Sequence, residues 1–178
     1  MDPVQLLAQE GESLRLDAAG LRVLAELGST PVAVLAVAGM YRTGKSFLLN
    51  QLVDAPRFRV GNTTESCTRG IWLCKRFLEG ANGGPRVLVL DTEGIDALDV
   101  ESTHDVRIFA LAVLLSSSFA FNSMSHLDEA AVQTLSLMTR VAESVSTEHH
   151  APSLYWVLRD FALQLVDCLL YTSPSPRD

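Results

Sequence analysis

Val32-Ala-Val-Leu-Ala-Val-Ala38, followed by Gly39-Met-Tyr-Arg-Thr-Gly-Lys-Ser46 and then Phe47-Leu-Leu-Asn50, is the stretch on which the reading of the whole chain turns. Its first seven residues are all apolar and rich in valine, bounded by Pro31 and Gly39. Such a run fits a strand buried on both faces, as in a parallel sheet. The next eight residues match G-x-x-x-x-G-K-[ST] in full. From Gly44 to Val53 the spacing predicts a helix, with Phe47, Leu48, Leu49 and Leu52 on its apolar face.

The chemistry of phosphate binding needs this order of parts. Glycines let the backbone curl tightly, and successive N–H groups then form an anion nest. The positive end of the following helix adds to it. Lys45 can reach the β- and γ-phosphates of a nucleotide, and the Ser46 hydroxyl can ligate Mg²⁺. A second element agrees. Arg86-Val-Leu-Val-Leu90 predicts another buried strand, running into Asp91-Thr92-Glu93-Gly94. An acid at the end of a strand neighbouring the phosphate loop can hold Mg²⁺, usually through water, and the Gly94 N–H can meet the γ-phosphate.

Outward from these elements, strands and helices alternate. Leu14 to Leu27 fits a helix only in its later part, with Gly28 as the stop, so 1–29 is expected to be a helical lead-in. Asp54 to Thr68 is polar and without period, and reads as a loop. Gly70 to Leu78 reads as a strand, and Glu79 to Pro85 as a hairpin tip. Gly94 to His104 reads as another loop. Ile108 to Leu115 is either a buried helix or a strand, because periodicity does not separate the two. Ser118 to Asn122 suits a strand, Leu127 to Val145 has helical spacing, and Ser153 to Leu158 predicts a last strand. The whole implies an α/β fold with a mainly parallel sheet. Phe161 to Leu170 opens a further helical pattern that Tyr171-Thr-Ser-Pro-Ser-Pro-Arg-Asp178 breaks off, so 169–178 is expected to be foreign to the domain.

Composition excludes several classes. The 178 residues are 48% hydrophobic and 20% charged, which suits roughly one globular domain. A formal net charge of −7 argues against a general nucleic-acid binder. Cys67, Cys74 and Cys168 lack metal-ligand spacing and read as free thiols in a reducing compartment. No secretory signal is visible, and the apolar run Ile108–Leu115 is far shorter than the roughly 20 residues that span a bilayer. The expected location is cytoplasmic. His149-His150 read as solvated, and Trp72 as core.

The base is harder to read. An Asn-Lys-x-Asp segment is absent, since the only lysines are Lys45 and Lys75. Guanine presents two donors on one edge, and a carboxylate accepts both. Asp160, after the last strand, stands where such a reader would lie, near the carboxyl edge of the sheet. A helix-capping aspartate is the competing reading.

Taken together, Gly39 to Asn50, Ser66-Cys-Thr-Arg-Gly-Ile-Trp72, Asp91-Thr-Glu-Gly94, Phe109 to Ser117 and Leu158-Arg-Asp-Phe161 resemble the guanylate-binding proteins, large GTPases of the dynamin superfamily. The resemblance covers roughly residues 30 to 165. Atlastin-type relatives are the second choice. It implies a three-layer P-loop NTPase fold over 30–168, incomplete at its C-terminal side. The rest of the core, the guanine cap, the helical stalk and any lipid anchor would lie outside this chain, and with them any membrane association.

The resemblance also implies roles. Arg42 matches an arginine finger within the phosphate loop. Thr68 matches the first-switch threonine on Mg²⁺, and Ser66 the serine that helps place the attacking water. Glu93 joins Arg42, Ser66 and Thr68 as the implied catalytic set. Gly39, Tyr41, Arg42, Thr43, Gly44, Lys45, Ser46, Phe47, Asp91, Gly94, Arg159 and Asp160 are the implied nucleotide contacts, with Asp160 and Arg159 reading guanine. Ser46, Thr68 and Asp91 are the implied metal set. His104 falls in the second-switch stretch, where a catalytic role is open. The expected activity is Mg²⁺-dependent GTP hydrolysis, with GTP-dependent pairing of two GTPase domains. The alternatives are a nucleotide-gated dimerisation module without useful turnover, an ATP-dependent P-loop enzyme, and an inactive fragment.

Overall fold

The computed structural model describes residues 3–11, 13–54, 58, 68–75, 78, 84–94, 103–125, 129, 131–133, 135, 136, 139, 140 and 152–160. Ser66, Cys67, His149, His150, Cys168 and the stretch 169–178 lie outside them. Seven strands form one sheet: β1 (Val4–Glu10), β2 (Ser13–Leu16), β3 (Val32–Ala38), β4 (Ile71–Leu73), β5 (Arg86–Thr92), β6 (Ser118–Met124) and β7 (Ser153–Arg159). Helices α1 (Ala18–Leu27), α2 (Lys45–Leu52) and α3 (Thr103–Leu115) pack on it. The strand order is β2-β1-β4-β5-β3-β6-β7.

The α/β reading holds, and the sheet is mixed. β5, β3, β6 and β7 run parallel to one another, with β3 between β5 and β6. β4, β1 and β2 extend that group by antiparallel pairing. The valine-rich run predicted as a doubly buried strand is β3, and Ala36, Val37 and Ala38 are all buried.

The period of two along the strands sorts side chains into two cores. Ala36 and Ala38 of β3, Leu88 and Leu90 of β5, and Phe119 and Phe121 of β6 face one way, against Val23 of α1 and Ile108, Phe109 and Ala112 of α3. Val37, Val89 and Ala120 face the other way, against Leu49 and Val53 at α2. Helices therefore cover both faces, giving three layers. Phe109 meets Phe119 and Phe121 edge-on, with centroids 5.0 and 6.4 Å apart. Each such pair adds about 0.5–1.5 kcal/mol beyond area burial.

Ile108 to Leu115, open between helix and strand from its apolar run, is helical. Its core-facing residues include Ile108, Phe109 and Ala112, while Leu114 and Leu115 are exposed, so the apolar run continues beyond the packed face and hides the helical period. The helical lead-in expected over 1–29 is corrected: only Ala18–Leu27 is helical, and β1 and β2 precede it as a hairpin turning at Gly11, φ 60°. Pairing with β4 buries Leu6 and Leu7, a tertiary gain that local spacing does not announce. Asp17 caps α1 by accepting from the Ala19 N–H at 2.7 Å, and Gly28 ends it as expected. The described residues between 129 and 140 are helical. No helix among the described residues is long and apolar enough to cross a membrane.

Candidate nucleotide site

The site stands at the carboxyl edge of the parallel strands, where β3 feeds the loop Gly39–Gly44 and then α2. Two glycines make the loop possible. Gly39 has φ 146°, and a Cβ there would run into the carbonyl oxygen of Asn122 on β6. Gly44 has φ 79°, and a Cβ there would run into the Arg159 guanidinium. Between them Arg42 holds φ 62°, a left-handed value uncommon for a side-chain-bearing residue. Alternation of this kind is how a backbone turns successive N–H groups towards one point. α2 starts at Lys45, so its first free N–H groups face the same region.

The loop is braced from within and from the sheet. Thr43 Oγ1 and Lys45 Nζ both donate to the Met40 carbonyl, at 2.9 and 3.1 Å. Asn122, fully buried at the end of β6, donates through Nδ2 to the Thr43 carbonyl at 2.8 Å. Arg159, closing β7, donates to the Thr43 and Gly44 carbonyls at 3.2 Å each. Its guanidinium also lies 5.0 Å from the centroid of the Phe47 ring. The contacts of Arg159 are thus with the loop itself: it is a strut from β7 to the phosphate loop.

A second cluster sits beside the lysine. Ser46 Oγ donates to Asp91 Oδ2 at 2.7 Å, and Thr68 Oγ1 lies 3.4 Å from both. Asp91 Oδ1 is buried and has no hydrogen-bond partner among the described residues. Burial pushes the Asp91 carboxyl up to about 6, against hydrogen bonding from Ser46 and the Lys45 charge. Burial likewise pushes the Lys45 ammonium down to about 8, although Asp91 and Glu93 pull it up. Each charge is therefore under-compensated by the protein alone. Asp91 and Lys45 present a short acid and a short base to a missing partner of each sign. Two hydroxyls and a carboxylate are hard oxygen donors, which suit Mg²⁺. The orphaned Oδ1 makes the residues present a fit for that ion.

Gly94 brings the end of β5 against the loop. A Cβ on Gly94 would lie 2.7 Å from the Tyr41 Cα and 2.9 Å from Lys45 Nζ. Glu93 Oε2 accepts from the Gly70 N–H at 2.9 Å and contacts His104 Nε2 at 3.1 Å. Arg42 is exposed, its guanidinium 5.8 Å from the Tyr41 ring centroid. Asp160 follows Arg159 directly, exposed and with φ 52°. The structure thus brings Gly39–Phe47, Thr68, Asp91, Glu93, Gly94 and Arg159 to one place. Asp160 stands at the same sheet edge. Ser66 falls outside the described residues.

This constellation has counterparts. The family profile described as "Guanylate-binding protein, N-terminal domain" matches residues 11–168. The chain belongs to the guanylate-binding protein family. It is 35% identical over 182 residues to human guanylate-binding protein 5, covering 92% of this chain and 30% of the relative. With human guanylate-binding protein 4 the identity is 38% over 185 residues, 93% of this chain and 28% of the relative. With mouse guanylate-binding protein 7 it is 35% over 182 residues, again 92% of this chain and 28% of the relative. The chain therefore spans about 30% of the length of the curated relatives it matches. The match is to the N-terminal domain of that family, and the matched stretch includes β2 and α1, not only residues from 30 onward.

One site residue escaped the sequence reading. Asn122 enters the sequence reading only as part of the strand Ser118 to Asn122. A signal existed: a polar residue closing an apolar strand adjacent to the loop strand marks the functional edge of a parallel sheet.

Proposed function

We propose that this guanylate-binding-type domain binds GTP at the Gly39–Ser46 loop and hydrolyses it to GDP with Mg²⁺. The observation that carries the reading is the Gly39–Ser46 loop with Lys45 buried beside Asp91, whose buried Oδ1 has no hydrogen-bond partner among the described residues. A phosphate chain supplies the missing anion for Lys45. A bound Mg²⁺ would supply positive charge to offset that of the phosphates.

The chain's residues do the rest by position. The loop N–H groups and Lys45 hold the phosphates. Ser46, Thr68 and Asp91 would hold the metal. Glu93 and Ser66 orient the attacking water in line with the γ-phosphate. Arg42 moves in to offset charge on the transferred group, which fits its exposure within the loop. Asp160 accepts the two donors of the guanine edge, and Arg159 fixes β7 to the phosphate loop so that base and phosphates are read in register. Pairing of two such domains face to face is part of the same reading, and GDP and GTP are its ligands.

Single-turnover hydrolysis of γ-labelled GTP by the purified chain tests this. The expected result is phosphate release that requires Mg²⁺ and stops on chelation. Tight GTP binding with no release would leave a nucleotide-gated switch instead.

A further inference from the structure

Glu93 is held in an unusual way. Both of its hydrogen-bond contacts converge on one oxygen. The Gly70 N–H reaches Oε2 at 2.9 Å and His104 Nε2 reaches it at 3.1 Å. The second oxygen, Oε1, makes no hydrogen bond among the described residues. Since an ionised carboxylate only accepts, the imidazole proton must sit on Nε2 for this contact to bond. Glu93 and His104 side chains are only 17% and 21% exposed, so the contact is shielded from competing water.

Three elements meet here. Glu93 follows the end of β5, Gly70 precedes β4, and His104 stands in the first turn of α3. The backbone already ties the first two, because the Glu93 N–H donates to the Gly70 carbonyl at 2.9 Å. That bond fixes the main chain and leaves the side-chain torsions of Glu93 open. Among the described residues, His104 is the side chain whose hydrogen bond limits them. Glu93 is also close enough to Lys45 to pull its proton affinity up, so its carboxylate belongs to the phosphate region.

We infer that His104 is a positioning residue for hydrolysis: its Nε2–H, with the Gly70 N–H, pins Glu93 Oε2 and leaves Oε1 free to hold the attacking water. A carboxylate gripped at one oxygen keeps one directed acceptor, which is what orienting a water requires. The inference rests on the reading that Glu93 acts in hydrolysis.

The test is kinetic, on the full chain, with His104→Ala, His104→Gln, Glu93→Gln and the His104→Ala/Glu93→Gln double variant. Glutamine carries an amide N–H close to the position of histidine Nε2 and so should replace it. His104→Ala should lower kcat about 10–100-fold, the usual loss when a supporting hydrogen bond goes, with KM and GTP affinity within about twofold. His104→Gln should recover most of kcat. In the Glu93→Gln background His104→Ala should cost little more, because both act through one group. The His104 imidazole ¹⁵N resonance should also move in Glu93→Gln. An equal loss of kcat in both backgrounds, no rescue by glutamine, or a loss of affinity parallel to kcat would overturn the positioning role. If Glu93→Gln itself leaves kcat unchanged, the reading of Glu93 fails, and the inference falls with it. If the wild-type chain binds GTP without turnover, hydrolysis itself fails first.

Discussion

The two halves of the sheet are built on different terms. β5, β3, β6 and β7 are parallel, and their carboxyl ends deliver Asp91, the phosphate loop, Asn122 and Arg159 to one edge. β4, β1 and β2 are antiparallel and deliver only Gly70 and Thr68, near the start of β4. In the parallel half the buried groups include under-compensated charges, which stability alone would not select. In the antiparallel flank the buried groups are apolar, Leu6, Leu7, Ile71 and Leu73. The lesson is a division of labour: one half holds poised charge for a ligand, and the other closes the core.

That division can be broken by substitution. Arg42→Ala, in the parallel half's loop, should slow single-turnover hydrolysis by roughly a thousandfold and leave GTP affinity within about twofold. Equal losses of both would remove Arg42 from the finger role. Lys45→Ala should weaken GTP binding by at least about a hundredfold in a fluorescent-nucleotide titration, since it removes the cation and leaves Asp91 buried and unpaired. Unchanged affinity would overturn the phosphate-loop assignment. Asp160→Asn should shift preference from guanine towards xanthine nucleotides by about tenfold or more, read by competition, because an amide offers a donor where the carboxylate only accepts.

The flank should behave in the opposite way. Gly20 on α1 packs on β1 so closely that a Cβ would lie 2.7 Å from both Gln5 O and Leu6 Cα. Gly20→Ala should therefore cost about 1–3 kcal/mol of stability, seen as a lower Tm, while GTP affinity at a permissive temperature stays within about twofold. A loss of affinity without a fall in Tm would erase the distinction between the halves.

Legibility followed the same line. The parallel half was readable because strands buried on both faces spell continuous apolar runs, and because glycine, lysine and serine at fixed spacing have a single chemical use. Val32–Ala38, Lys45–Leu52 and Arg86–Thr92 appear almost as their residues predict. In the flank only β4 was readable, inside the stretch Gly70 to Leu78. β2 has only four residues and pairs with β1 alone, and the alternation of β1 is broken by a bulge between Gln5 and Leu7 where it pairs with β4. Arg159 was legible as part of a motif but not as a strut, since nothing in Leu158-Arg-Asp-Phe161 says that its guanidinium reaches back to the loop carbonyls. The tie from His104 to Glu93 was equally hidden, because the two residues come from different elements and meet only when α3 docks on the sheet.

The most direct test of the central claim is equilibrium binding of fluorescent GTP to the purified chain with Mg²⁺, displaced by unlabelled GTP or ATP. The account predicts saturable binding that GTP displaces, that ATP does not, and that weakens when Mg²⁺ is chelated. Displacement by ATP as readily as by GTP, or no saturable binding by a folded chain, would contradict it.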